Sequence, residues 1–170
     1  TMGVMYTAAA LAMAHGADMD QALYVGLLHD CAKCIPNEEK LSLCEKYQIS
    51  ISDAERKSPS LLHAKLGAYF AKSIYGIEDE VILHAIKVHT TGEPGMNLLD
   101  KIIYIADYIE PNRDQAPNLT AIRKLAFQDL DKTMEKILSD TLQYLTEKGG
   151  EIDPLTNETY QYFHNSISHN

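Results

Sequence analysis

Apolar residues return every three or four positions along almost the whole chain, and no run of four to eight residues alternates cleanly between apolar and polar as a half-buried strand would. The pattern predicts an all-α protein. A first helix, rich in alanine, is expected over 2–15 and stops at Gly16; Asp18 caps a second over 20–34, halted by Pro36. Asn37 with Glu38 and Glu39 opens a third. Ser52-Asp53-Ala54-Glu55 matches a capping box for a short helical turn broken at Ser58-Pro59, followed by a helix over 60–75 that ends at Gly76. Helices are then expected over 78–90, 98–109, 120–127, 129–148 and 156–166, with loops at 91–97 and 110–118. With no repeat, low-complexity tract or linker, the pattern predicts one domain over 1–170, a bundle of eight or nine helices.

At 170 residues, 45% hydrophobic and 23% charged, the chain is large enough to fold on its own core. Fifteen Lys and Arg against 24 Asp and Glu give a formal charge of −9, so a general nucleic-acid surface is not expected. A phosphate-handling site would need locally supplied positive charge. Apolar runs break off well short of the roughly 18 residues of a membrane span, and no basic segment followed by an apolar run marks a leader, so the expected compartment is the cytoplasm. Three cysteines, an odd number, fit reduced thiols there. Cys31-Ala32-Lys33-Cys34 lacks a second pair and a preceding strand, so helix packing is the favoured reading over zinc or redox chemistry.

Five residues resist a plain helical account: His29, Asp30, His63, His89 and Asp107, each among apolar neighbours on an expected helix. Asp30 follows Val25-Gly26-Leu27-Leu28, and a carboxylate buried there is costly without a cationic partner. A metal ion is such a partner, and imidazole with carboxylate suits iron, manganese, cobalt or zinc. The long intervals between these residues carry little signal, and His63 or His89 taken singly is more often a hydrogen-bonded core residue. The adjacency of His29 and Asp30 says more. Successive helical side chains diverge by about 100°, and two ions about 3.5–4 Å apart would let His29 hold one while Asp30 bridges both. His84 lies about 140° around the helix from His89 and reads as structural or exposed. His15 suits a helix C-terminus, and His164 and His169 fall in a polar tail. Asp100 reads as a helix N-terminal acid in preference to a support for Asp107.

Gly26-Leu27-Leu28-His29-Asp30-Cys31-Ala32-Lys33, then His89-Thr90-Thr91-Gly92, then Ala106-Asp107-Tyr108-Ile109-Glu110-Pro111-Asn112-Arg113, with His63 between the first two, resemble the bacterial YqeK-like branch of the HD superfamily of metal-dependent phosphohydrolases. The resemblance extends over nearly the whole chain. It implies an all-α HD domain, two metal ions with iron foremost and manganese or cobalt accepted, and symmetrical hydrolysis of diadenosine tetraphosphate to two ADP by a hydroxide bridging the metals. It places the ligands on His29, Asp30, His63, His89 and Asp107. Members carry a further ligand histidine immediately before a segment like Thr1-Met2-Gly3-Val4, so either the chain starts one residue late, the favoured expectation, or one metal site is a ligand short.

Asp30 and Lys33 are the expected catalytic residues, with Lys33 one helical turn beyond His29. Lys33 and Arg113 would form the positive patch for substrate, and Thr90, Thr91 and Gly92 would offer hydroxyls and a close backbone approach, a helix C-cap being their plainer reading. Adenine recognition is left among Tyr104, Tyr108 and loop 93–97. The expected partner is the nucleotide, with no nucleic acid and no membrane, and a homodimer is left open. The rival readings are an HD phosphohydrolase of another nucleotide and a nucleotide-binding regulatory module without turnover.

Overall fold

The computed structural model describes residues 1–168, so His169 of the expected polar tail lies outside the described residues. The chain forms α1 (Met2–His15), α2 (Met19–Leu28), α3 (Asn37–Lys46), α4 (Asp53–Lys57), a 3-10 turn (Pro59–Leu61), α5 (Leu62–Ser73), α6 (Glu80–Val88), α7 (Leu98–Ile109), α8 (Leu119–Ala126), α9 (Leu130–Lys148) and α10 (Pro154–Ser168). No strand occurs among the described residues, and none of their helices is long and apolar enough to cross a membrane.

The helix ends follow the local signals. Gly16 takes the left-handed φ of 73° that lets α1 stop, and Asp18 accepts from the Gln21 amide to start α2. Ser52 with Glu55 and Asn97 with Asp100 form complete capping boxes at α4 and α7. Asp129 caps α9, which closes on Gly149 at φ 63°.

The largest departure from the pattern is at α2, which ends at Leu28 instead of running on to 34. Residues 29–34 form tight turns in which Cys31 N donates to Leu28 O and Lys33 N to Asp30 O. The His29-Asp30 doublet therefore sits just beyond a helix. A local competition explains the stop: the His29 ring places Nδ1 2.8 Å from the Gly26 carbonyl, the acceptor that a continuing helix would offer to the next amide. α6 stops at Val88 with the same device, His89 Nδ1 lying 2.7 Å from the Ile86 carbonyl. Both histidines are the residues that close their helices.

α7 is the central helix, with Ile102, Ile103, Ile105 and Ala106 all fully buried. Ala8 and Leu11 of α1, Val25 of α2, Ile86 of α6, Met134 and Ile137 of α9, and Phe163 of α10 complete one continuous core around it. Each buried Ile or Leu contributes about 1.5–3 kcal/mol, so the orientation of Asp107 on α7 is set by the best-packed part of the molecule. α1 and α2 approach closely enough that a Cβ on Gly26 would stand 2.5 Å from Met5 Cα. A second, smaller cluster of Ala32, Cys44, Leu62 and Leu66 joins α3 and the 29–34 turns to α5.

Candidate metal centre

The residues that the sequence singled out converge from four parts of the fold. His29 and Asp30 come from the end of α2, His63 from the first turn of α5, His89 from the end of α6 and Asp107 from α7. All three imidazoles are oriented alike. His29, His63 and His89 place Nδ1 at 2.8, 2.6 and 2.7 Å from the carbonyls of Gly26, Ser60 and Ile86. A carbonyl only accepts, so Nδ1 carries the proton and each Nε2 presents a lone pair inward.

Asp30 stands at the meeting point of these lone pairs. Its Oδ2 faces His29 Nε2 at 3.4 Å, while its Oδ1 faces His63 Nε2 at 3.2 Å and His89 Nε2 at 3.5 Å. Asp107 Oδ1 lies 3.8 Å from His29 Nε2 on the first side. The cluster thus has two overlapping ligand groups, His29 with His89 and Asp107, and Asp30 with His63 and His89.

Hydrogen bonding alone does not satisfy this arrangement. His29 Nε2 and Asp30 Oδ1 are buried with no hydrogen-bond partner. The Nε2 atoms of His63 and His89 lie 3.1 Å apart, and with both Nδ1 atoms protonated, that is a contact between two lone pairs. Burial pushes the His89 imidazole down, away from the protonated form that would relieve the contact. The Asp30 carboxylate has the Lys33 ammonium 2.7 Å from Oδ2 and no donor at Oδ1. Converging imidazole lone pairs and carboxylates are a donor set that suits a divalent cation, and each of the two groups offers three ligand atoms to one.

The expected substrate residues divide. Lys33 Nζ is 2.7 Å from Asp30 Oδ2, and about half of its side chain is exposed. Lys33 therefore reaches the cluster through Asp30 across a tight turn, and the expected helical alignment with His29 does not occur. Arg113 is equally exposed at the rim, its guanidinium 2.8 Å from Asp107 Oδ1 and its Nε donating to the Asp107 carbonyl. Thr90 lines a cavity of about 560 Å³ together with His89, Asp107 and Arg113. Gly92 turns away: at φ 66°, its Cβ position would meet Thr159 of α10 at 2.8 Å, and Thr91 donates to the Gly92 carbonyl. That pair serves the helix end and the packing of α10.

Tyr104 and Tyr108 line the same cavity, whereas loop 93–97 does not. Glu93 instead contacts His84, and Asn97 caps α7. Asp100 acts as the N-terminal acid of α7 and also lies 3.0 Å from His84 Nδ1, without reaching Asp107. Cys31 donates to the Gly67 carbonyl, Cys34 is exposed, and neither is in a disulfide. The His15 ring contacts the Ala126 carbonyl at 2.6 Å beyond the end of α1, and His164 lies 3.1 Å from Glu135. Sequence reasoning missed Asp140, Thr141 and Tyr144, which also line the cavity. A signal for Asp140 was present, because it falls on the same stripe of α9 as the buried Thr133, Met134, Ile137 and Leu138.

This helical scaffold with an inward-facing His and Asp cluster defines an HD domain. Residues 1–112 match the family described as HD domain, and the chain belongs to it. More particular relatives follow. A Bacillus subtilis (strain 168) protein named bis(5'-nucleosyl)-tetraphosphatase, symmetrical, is 42% identical over 164 residues, 95% of this chain and 86% of the relative. A Halalkalibacterium halodurans protein of the same name is 43% identical over 160 residues, 94% of this chain and 84% of the relative. A crystal structure from Clostridium acetobutylicum, described as a "predicted HD superfamily hydrolase involved in NAD metabolism", matches with a TM-score of 0.93 at 40% identity, covering 99% of this chain and 87% of that one.

Proposed function

We propose that this chain, as a single domain over 1–170, is a metal-dependent phosphoanhydride hydrolase that cleaves diadenosine tetraphosphate symmetrically into two molecules of ADP. The observation that carries the reading is the Asp30 carboxylate, with one oxygen facing His29 and the other facing His63 and His89. The names and coverage of the curated relatives supply the substrate. In this reading His29, Asp30, His63, His89 and Asp107 would together hold two cations, with iron the metal proposed. When bound, the two cations neutralise phosphate oxygens and lower the pKa of the attacking water.

The remaining work falls to the chain's own side chains. Water oxygen bonds to one of the two central phosphorus atoms as the bridging P–O bond on its far side breaks, releasing ADP from each half. Lys33 and Arg113, each beside a cluster carboxylate and half in solvent, supply the local positive charge that an acidic protein needs to admit a tetraphosphate. Thr90 at the cavity rim offers a hydroxyl to a phosphate oxygen. The cytoplasm, a reducing compartment, suits the three free thiols.

The test is nucleotide product analysis on purified, metal-quantified protein given diadenosine tetraphosphate, beside Asp30→Ala. ADP as the sole nucleotide product, with both metal and turnover lost in the variant while its helical circular dichroism persists, is the expected outcome. AMP with ATP would place the cut at another phosphorus, and no turnover by metal-loaded protein would remove the substrate assignment.

A further inference from the structure

Asp140 on α9 lines the cavity beside His89 and Asp107 and takes no part in the chemistry above. Its side chain is 7% exposed, and Oδ1 accepts from Lys136 Nζ at 2.8 Å. Oδ2 is buried with no hydrogen-bond partner among the described residues. An unpaired buried carboxylate oxygen is costly to a fold, and it lies on a helix face otherwise shared with Ile137 and Leu138, where an apolar side chain would pack at no such cost. Asp140 thus brings a carboxylate with one unfilled acceptor to the lining of the cavity.

The character of the cavity says what brings the donor. Arg113, beside Asp107, is the one lysine or arginine among the described residues of the cavity lining, and in the hydrolase reading the polyphosphate lies with it near the His and Asp cluster. Asp140 would repel a phosphate, and Tyr104, Tyr108 and Tyr144 of the same lining offer flat aromatic surfaces. The complementary ligand carries phosphates at one end and a flat, neutral, donor-bearing ring system at the other. That is a nucleoside, with its base amine and its ribose hydroxyls. A cavity of about 560 Å³ falls in the usual range of small-molecule sites.

We infer that Asp140 is a specificity-determining residue that accepts, through Oδ2, a hydrogen bond from an N–H or O–H group of the substrate's nucleoside. The inference rests on the nucleotide-hydrolase reading for the direction of the phosphates. Calorimetric titration of the metal-loaded protein with three ligands tests it: ADP, purine riboside 5'-diphosphate, which lacks the exocyclic amine, and 2',3'-dideoxyadenosine 5'-diphosphate, which lacks the ribose hydroxyls. The wild-type protein should bind one analogue more weakly than ADP by on the order of 10- to 100-fold, and which one identifies base or sugar as the donor. Asp140→Leu should bind that analogue and ADP equally, and Asp140→Asn, the milder change, should narrow the difference.

A merely structural Asp140 would lower the melting temperature when replaced and leave the ratio of affinities alone. Equal binding of all three ligands by the wild type, failure to bind any of them, or discrimination undiminished in both variants would overturn the inference. The hydrolysis assay separates the two claims. Formation of ADP from diadenosine tetraphosphate without Asp140-dependent discrimination removes only the role of Asp140; discrimination without hydrolysis removes only the hydrolase reading.

Discussion

α6 carries two histidine–carboxylate groupings five residues apart, and they have opposite characters. His84 is held on both sides, its Nε2 2.7 Å from Glu93 and its Nδ1 3.0 Å from Asp100, so every polar atom of its ring has a partner. His89 has a backbone carbonyl at Nδ1 and, at Nε2, only another histidine's lone pair and a carboxylate oxygen that makes no hydrogen bond. Their pKa directions differ accordingly. Burial drives His89 down, whereas at His84 burial is outweighed by Asp100 and Glu93 and the imidazole is raised. The same residue types yield a closed ion-pair group in one place and an unsatisfied ligand set in the other. Residue type alone does not separate the two groupings; the unfilled valences do.

Exchanging glutamine at these two positions gives the sharpest contrast. His89→Gln should cost metal affinity more than the roughly 10- to 100-fold that losing an outer-shell partner costs, and turnover with it. His84→Gln should retain both metals and activity, as elemental analysis of dialysed protein and initial rates will show. Equal metal loss in the two variants would mean that the two groupings are one functional unit.

A smaller effect is expected from packing. Gly26→Ala forces a methyl group against Met5 Cα where α1 crosses α2, a clash that overpacking data put at about 1–3 kcal/mol. Because the Gly26 carbonyl orients His29, the urea midpoint and metal affinity should fall together. A loss of stability with metal affinity unchanged would separate the ring's orientation from this crossing.

The smallest effect belongs to His84 and depends on pH. Its folded pKa is raised above the ordinary 6.5, so its stabilisation is fully present below 6.5 and disappears as pH rises through the folded value. On the acid side the window closes as Asp100, pushed up chiefly by burial, takes a proton. With a third of the His84 side chain exposed, the effect is discounted to about 1 kcal/mol or less. The difference in urea stability between wild type and His84→Gln should therefore be largest on the acid side of 6.5 and shrink toward alkaline pH. A difference independent of pH would make the role of His84 one of packing alone.

The sequence was informative wherever a residue acts on its neighbours. α7 occupies the expected span because Asn97, Asp100 and Pro111 bound it locally, and the Ser52–Glu55 box forms as written. The five cluster residues stood out because an imidazole or carboxylate among apolar neighbours needs a reason. The end of α2 was misplaced because the His29 ring competes for the Gly26 carbonyl, and helical periodicity carries no record of that contest. Lys33 was accordingly aligned with His29, when the turn brings it to Asp30.

Helix spans, caps and the residues out of keeping with their surroundings were thus determined by the sequence itself, since helical hydrogen bonds and caps reach only three or four positions along the chain. Tertiary structure alone decided which oxygen of Asp30 meets which imidazole, that His84 would be saturated and His89 would not, and that Asp140 of α9 would line the cavity beside Asp107. Those contacts join residues far apart in the chain, and their geometry is fixed by how α2, α6 and α9 pack around the buried face of α7 and how α5 packs on α6.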